Sequence, residues 1–299
     1  MRFAKGHGTE NDFVILPDLD DRLELTGRLV TRLCDRHAGL GADGVLRVVR
    51  AAGPAGAGGA DAPAWFMDYR NADGSVAEMC GNGIRVFGRY LLDHGLVDGG
   101  EFTVATRAGN RRLRAAADGT ITVDMGPPLV LGPGRGELGG VAVDGLSVSL
   151  GNPHLACVVS GPLDGFDLSR PPVLDSGQFP DGANVELLRF NGERHIEMRV
   201  HERGSGPTRS CGTGAVAAAV AAKEAATGRR VAAAAPDSTW VVDLPGGRLR
   251  VRLDGQTSFL SGPAVVVAEG DIAESWLAGD TVTAPGVHSP AAAQSSPAA

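Results

Sequence analysis

Two short stretches decide how this chain folds: "AEMCGNGIR" at residues 77–85 and "TRSCGTGAV" at residues 208–216. Each sets a cysteine directly before Gly-x-Gly and an apolar run, "GNGIRVFGRYLLDHG" after Cys80 and "GTGAVAAAVAAKEAATG" after Cys211. The apolar residues recur at helical spacing, and each run ends at a glycine suited to a C-cap, so each cysteine is predicted to open a helix. One device built twice in one chain is the mark of an internal repeat.

The repeat extends outward from the cysteines. With the two thiols superposed the offset is 131, which lays Trp65, Met67 and Tyr69 on Ile196, Met198 and Val200, and Asn71 on Glu202. Nearer the N-terminus an offset of 141 matches "ENDFVIL" at 10–16 with "GNPHLAC" at 151–157, and "GADGVL" at 41–46 with "GANVEL" at 182–187. The difference falls in a hairpin, which the first copy closes with the biased stretch "AAGPAGAGGADAP" at 51–63 and the second with a short turn around Asn191, Gly192 and Glu193. Beyond the helices an offset of 136 matches "RLR", "DG" and "GP" at 112–114, 118–119 and 126–127 with 248–250, 254–255 and 262–263.

Each half therefore reads as strands, a hairpin, a loop, a helix, and two or three further strands. The expected fold is α+β, with two pseudo-symmetric lobes, each a mixed or antiparallel sheet around a central helix. Residues 1–127 form the first lobe, to which 264–276 could return, and 128–263 form the second. From 277 to 299 the chain is rich in Ala, Pro and Ser and is expected to be a disordered tail, because it holds too little apolar surface to offset its ordering entropy. Equivalent features of two facing lobes meet at the cleft between them, where small molecules bind.

Composition limits the chemistry. A chain of 299 residues with 43% hydrophobic residues can bury a large core. Its net charge of −7 lacks the basic surface that phosphate backbones require, so no nucleic-acid partner is expected. "MRFAKGHGTENDF" has no apolar leader core and no apolar run is long enough to span a bilayer, so a cytoplasmic protein without a membrane partner is expected. Cys34, Cys80, Cys157 and Cys211 show no disulfide pattern and read as free thiols. The only lysines are Lys5 and Lys223, neither in a setting for a pyridoxal Schiff base; no cofactor and no metal are expected.

At a helix start, unpaired backbone N–H groups and the helix dipole favour a thiolate, and glycines leave those N–H groups open to a substrate carboxylate. A carboxylate held between two such starts puts its Cα between Cys80 and Cys211. One thiolate can then remove a proton from one face while the other thiol returns a proton to the opposite face, which inverts the carbon. Cys34 and Cys157 lack this setting and read as packing residues. The repeat brings further polar residues to the rim: Asn11 and Asn152 are equivalent, as are Asn71 and Glu202, and Asn184 falls on Asp43. Glu202 and Arg203 can both serve the site only where the strand carrying them ends or bulges. His154 could orient a thiol or shuttle its proton.

Through "KGHGTENDFV", "GADGVL", "RNADGSVAEMCGNGIR", "GNPH", "NVE" and "ERGSGPTRSCGTGAV", the chain resembles the diaminopimelate epimerase family from residue 1 to about 275. The resemblance implies cofactor-independent conversion of LL-2,6-diaminopimelate to the meso form, with Cys80 and Cys211 as acid and base. It implies that Asn11, the starts Gly81-Asn82 and Gly212-Thr213, and Glu202 hold the reacting centre. Asn71, Asn152, Asn184 and Arg203 would hold the distal end, with His154 and Glu202 as helpers near the thiols, in what is expected to be a homodimer. One departure stands out: Pro207 replaces the acid that the family more often carries before Thr208, so the loop to Cys211 is expected to be held differently. A proline or hydroxyproline racemase shares the two cysteines, but would leave the distal residues without a carboxylate to bind. A thiol redox switch or a dithiol oxidoreductase accounts for the cysteines and not for the asparagines.

Overall fold

The computed structural model describes residues 1–51, 63–227 and 238–279. The first half runs β1 (Arg2–Gly8), β2 (Asn11–Pro17), α1 (Gly27–Cys34), β3 (Gly44–Arg50), β4 (Trp65–Asn71), α2 (Gly81–Asp93), β5 (Glu101–Thr106), β6 (Gly109–Ala115) and β7 (Ile121–Gly126). The second runs β8 (Leu129–Leu138), β9 (Val141–Ser149), β10 (Pro153–Val158), β11 (Val173–Leu174), β12 (Asn184–Gly192), β13 (His195–Glu202), β14 (Gly206–Thr208), α3 (Gly212–Thr227), β15 (Ser238–Leu244), β16 (Gly247–Leu253) and β17 (Ser258–Gly262). The chain then adds β18 (Val265–Asp271) and α4 (Glu274–Ala278).

The ladders repeat in the same order. In the first half β18 pairs with β1, β1 with β2, β2 with β3 in parallel, β3 with β4, β4 with β5 in parallel, and β5, β6 and β7 form a meander. In the second half β8, β9, β10, β12, β13, β15, β16 and β17 pair in the corresponding sequence. The halves join where β7 and β17 pair antiparallel, Val123 opposite Leu260. Helix α2 packs on β1, β2, β7 and β18, and α3 packs on β9, β10, β12, β13 and β16, so each half wraps its own helix. This is the expected α+β arrangement of mixed sheets around central helices.

The ladders also correct the repeat register. Val45 lies opposite Arg70 and Val185 opposite His201, so β3 and β12 are related by 140 rather than 141, and Asn184 corresponds to Gly44 rather than to Asp43. Trp65 lies beside Val104 and Ile196 beside Val242, which sets the offset of β5 and β15 at 138. The "RLR" match at 136 is therefore two residues out of register; both readings put the same face of the strand inward, so alternation alone could not separate them. The second hairpin turns at Glu193 and Arg194, one residue later than expected, with Arg194 at φ 51°.

Loop 51–63 lies almost wholly outside the described residues, as does Gly228, the expected cap of α3; Gly95, after α2, takes the left-handed φ of 61° that a C-terminal glycine permits. At the C-terminus the ordered chain enters the segment expected to be a tail. Helix α4 runs to Ala278, Arg32 lies over the Trp276 ring at 4.1 Å, and Leu277 packs against the apolar cluster beneath α1. Residues 280–299 of that tail lie outside the described residues. No helix among the described residues is long and apolar enough to cross a membrane.

The helix starts touch. A Cβ on Gly81 would sit 3.3 Å from the Gly212 Cα, one on Gly212 would sit 3.0 Å from the Gly81 Cα, and both would press on the Leu260 side chain. Glycine fits this approach without strain, whereas a Cβ at either position would force its neighbours to give by a few tenths of an ångström. We predict that Gly81→Ala or Gly212→Ala destabilises the protein by about 1–3 kcal/mol through overpacking and lowers activity disproportionately. Denaturant unfolding and steady-state rates check this, and a variant equal to the parent in both contradicts the contact.

Candidate active site

Each thiol caps its helix. The Gly83 N–H donates to Cys80 Sγ and the Gly214 N–H to Cys211 Sγ, both at 3.3 Å, while the cysteine carbonyls accept from Ile84 and Ala215. The first-turn N–H groups have no intrahelical carbonyl partner, as at any helix start; that of Asn82 is turned to the Cys80 sulfur, and those of Gly81, Gly212 and Thr213 are open to an anion. Cys80 is half-buried and Cys211 is buried. Cys34 and Cys157 are core residues, in separate apolar clusters.

Asn11 and Asn152 occupy equivalent places. Cys80 Sγ donates to Asn11 Oδ1 at 3.7 Å, and Asn82 Nδ2 donates to the same oxygen at 3.2 Å, while Asn11 Nδ2 is held by Asp43 at 2.7 Å. Across the repeat, Asn152 Nδ2 donates to Thr213 Oγ1 at 3.4 Å, and that hydroxyl lies 3.5 Å from Cys211 Sγ. Asn82 also donates to the Ser210 carbonyl at 3.1 Å and hydroxyl at 3.2 Å, so the residue after one helix start grips the residue before the other cysteine. Thr9 joins this network through Ser210 Oγ at 2.6 Å. Thr9 and Glu10 both carry positive φ, 52° and 62°, in the turn before Asn11, a strained backbone for a β-branched residue.

Strand β13 ends at Glu202, which permits the divergence of Glu202 and Arg203 that the sequence required. Glu202 accepts from Thr208, and its charge acts on both cysteines. Pro207 lies exposed on the short edge strand β14, opposite His201; an edge tolerates a residue without an N–H, and the approach to Cys211 is still paired with β13. Asn184 donates to the Pro153 carbonyl and accepts from the Arg203 N–H at 2.9 Å, which gathers Asn152, Asn184 and Arg203. Asn71 stands apart in the first half, donating to Ser75 Oγ at 3.0 Å.

The thiols and His154 differ in setting from a bare helix start. Burial opposes the helix-start donors at both thiols, pushing Cys80 up to about 11 and Cys211 well above its ordinary value. His154 does not touch a thiol: it is fully buried, with Nδ1 2.7 Å from Glu186 Oε1 and Nε2 3.1 Å from Asn152 Oδ1, and it reaches Cys211 only through Asn152 and Thr213. Sequence reasoning passed over Glu186, Arg85, Thr9 and Ser210. A signal was present for the first two, since an acid inside the strand "NVELL" and an arginine inside the run "GIRVF" interrupt buried apolar elements.

The fold is shared with solved isomerases. A probable proline racemase from Agrobacterium radiobacter aligns with TM-score 0.64 at 14% identity, over 91% of this chain and 93% of that one. A predicted epimerase from Pseudomonas aeruginosa aligns with TM-score 0.64 at 17% identity, over 91% of this chain and 98% of that one. The sequence profile described as diaminopimelate epimerase matches residues 3–131 and 146–267. The diaminopimelate epimerase of Thermobifida fusca is 56% identical over 282 residues, spanning 93% of this chain and 100% of that protein. That of Acidothermus cellulolyticus is 50% identical over 291 residues, spanning 90% of this chain and 94% of its own. Fold and relatives together define an isomerase of the racemase and epimerase class. Within that class, the chain belongs to the diaminopimelate epimerase family.

A thiol held up at about 11 ionises only as pH rises well past neutrality. We predict that the iodoacetamide alkylation rate of Cys80 in ligand-free protein climbs about tenfold per pH unit from pH 7 to 9.5, without a plateau. Mass mapping of the modified cysteine follows it, and a plateau below pH 8.5 would show an acidic thiol instead.

Proposed function

We propose that the protein epimerises LL-2,6-diaminopimelate to the meso form, in lysine and peptidoglycan precursor synthesis, by two-base chemistry between Cys80 and Cys211 without a cofactor. The observation that carries this is the pair of cysteines at equivalent helix starts, abutting through Gly81 and Gly212. Family membership supplies the substrate class.

The α-carboxylate would be held by the open N–H groups of the two first turns, over the positive ends of both helix dipoles. One cysteine, as thiolate, takes the Cα proton. The S–H bond forms as the C–H bond breaks, and the electron pair is delocalised into the carboxylate, where the same N–H groups oppose the growing charge. The other thiol gives its proton to the opposite face and becomes the thiolate, so the proton count is unchanged and the two thiols have exchanged states. Burial of both sulfurs serves this chemistry, because a thiolate stripped of water is a stronger base toward a weakly acidic C–H. Asn11, Asn82 and Glu202 border the reacting centre; Asn152, Asn184 and Arg203, with Asn71 from the other half, are read as the receptor for the distal amino-acid end.

The test is to incubate purified, reduced protein with LL-diaminopimelate in deuterated water, with nothing added, and follow Cα exchange by NMR. Deuterium should enter one Cα as the meso isomer appears, with no exchange into proline. Exchange into proline with none into diaminopimelate would move the assignment to a proline-type racemase. A requirement for added cofactor would end the thiol mechanism, and no turnover of either amino acid would favour a redox role.

A further inference from the structure

The repeated backbone presents two equivalent cysteines, but the side chains behind them are not equivalent. A Cβ on Gly83 would meet Cys80, Leu46 and the Phe13 ring at 3.3–3.4 Å; a Cβ on the corresponding Gly214 would meet Cys211 at 3.2 Å and Glu186 Oε1 at 2.7 Å. By the ladder register Leu46 and Glu186 correspond, and so do Phe13 and His154, which occupy the same places on β2 and β10. The apolar backing of Cys80 is thus replaced, behind Cys211, by a fully buried carboxylate and imidazole 2.7 Å apart. Glu186 Oε2 has no hydrogen-bond partner.

The opposite substitution occurs on the helices. Arg85, on α2, is fully buried; its place on α3 is held by Val216, also fully buried. Its guanidinium donates to the Gly81 carbonyl at 3.0 Å and to Thr9 Oγ1 at 3.3 Å, its Nε is unpartnered, and among the described residues no ion pair joins it to a carboxylate. A buried cation without an anion is costly unless a charge forms nearby. The group positioned to supply one is Cys80, one residue before the carbonyl that Arg85 holds.

We propose that Arg85 and Glu186 are electrostatic positioning residues that break the symmetry of the site, so that Cys80 is the thiol that ionises first and Cys211 the one that keeps its proton. This rests on the two-thiol reading above and adds to it which cysteine is poised as base when the enzyme meets substrate. The other charged and titratable groups do not offset the bias. Glu202, on β13, faces both cysteines and opposes ionisation of each; the buried Tyr69 hydroxyl, on β4, is within electrostatic reach of Cys80 and Glu202 and resists ionisation itself. His154, on β10, stays bonded to Glu186. In keeping with the geometry, the Arg85 charge lowers Cys80 against the larger effect of burial, whereas Glu186 adds to burial in raising Cys211.

The test uses the full chain and needs no substrate. Alkylation by iodoacetamide is measured separately at Cys80 and Cys211 by mass mapping at pH 8.5 in wild type, Arg85→Gln, Arg85→Lys and Glu186→Gln. Arg85→Gln should slow Cys80 about tenfold, equivalent to one pH unit, with Cys211 unchanged; Arg85→Lys should restore Cys80; Glu186→Gln should speed Cys211 by a similar factor and leave Cys80 alone. The acid limb of the kcat/KM pH profile should move upward in Arg85→Gln and stay in place in Arg85→Lys. If Arg85 only braces the fold, Arg85→Gln loosens the site and both cysteines react faster, which overturns the proposal. An unchanged Cys80 rate overturns it equally. Should Arg85→Gln fail to fold, the Glu186→Gln arm decides alone, and a Cys211 rate equal to wild type overturns the proposal. Because alkylation does not depend on turnover, these outcomes are separate from a failure of the epimerase assay.

Discussion

The approach of Gly81 to Gly212 is the constraint on which the site depends. Two helices from two copies of one motif meet nose to nose, closer than a side chain fits without its neighbours shifting, beside Leu260 at the seam where β7 pairs with β17. Helix dipoles so arranged repel at their positive ends, and an anion between them relieves that repulsion. In the proposed reaction, the substrate carboxylate would be that anion. The polar ties across the seam, Asn82 to Ser210 and Thr9 to Ser210, hold the two cysteine turns in register, and the strained φ of Thr9 is the cost of one of them.

Duplication supplies the geometry that the proposed two-sided reaction needs, since two cysteines at equivalent helix starts come from one motif used twice. It also supplies a symmetry that the chemistry does not need. A substrate approached from both faces requires one base and one acid at any moment, and identical thiols in identical surroundings give no preference between them. In the proposed asymmetry, the replacement of Phe13 and Leu46 by His154 and Glu186, and of Val216 by Arg85, is what would write that preference into a repeated backbone. Buried charges act at full strength because little water screens them.

Much of this was legible in the sequence, and the reasons are specific. The cysteine-glycine frame is local, so "CGNG" and "CGTG" announced both helix starts and the duplication together. Strand alternation carries the class of fold and the equivalence of β4 with β13, and it cannot expose the misaligned "RLR", because a two-residue slip preserves the inward face. The partners of Glu186, Arg85 and Ser210 lie far along the chain, and no spacing rule reports a contact such as Asn82 to Ser210. Thiol ionisation is only half legible for a similar reason: the helix start can be read from sequence, but the burial that opposes it belongs to the packed molecule.

The measurement that tests the account most directly is stereochemically resolved Cα hydrogen exchange in Cys80→Ser and Cys211→Ser, each reduced and confirmed folded by circular dichroism. If each thiol owns one face of the substrate carbon, both variants lose epimerisation by orders of magnitude, and the residual exchange in each favours one configuration, opposite in the two proteins. Near wild-type epimerisation in either variant, or the same configurational preference in both, would contradict a reaction run between two opposed thiols.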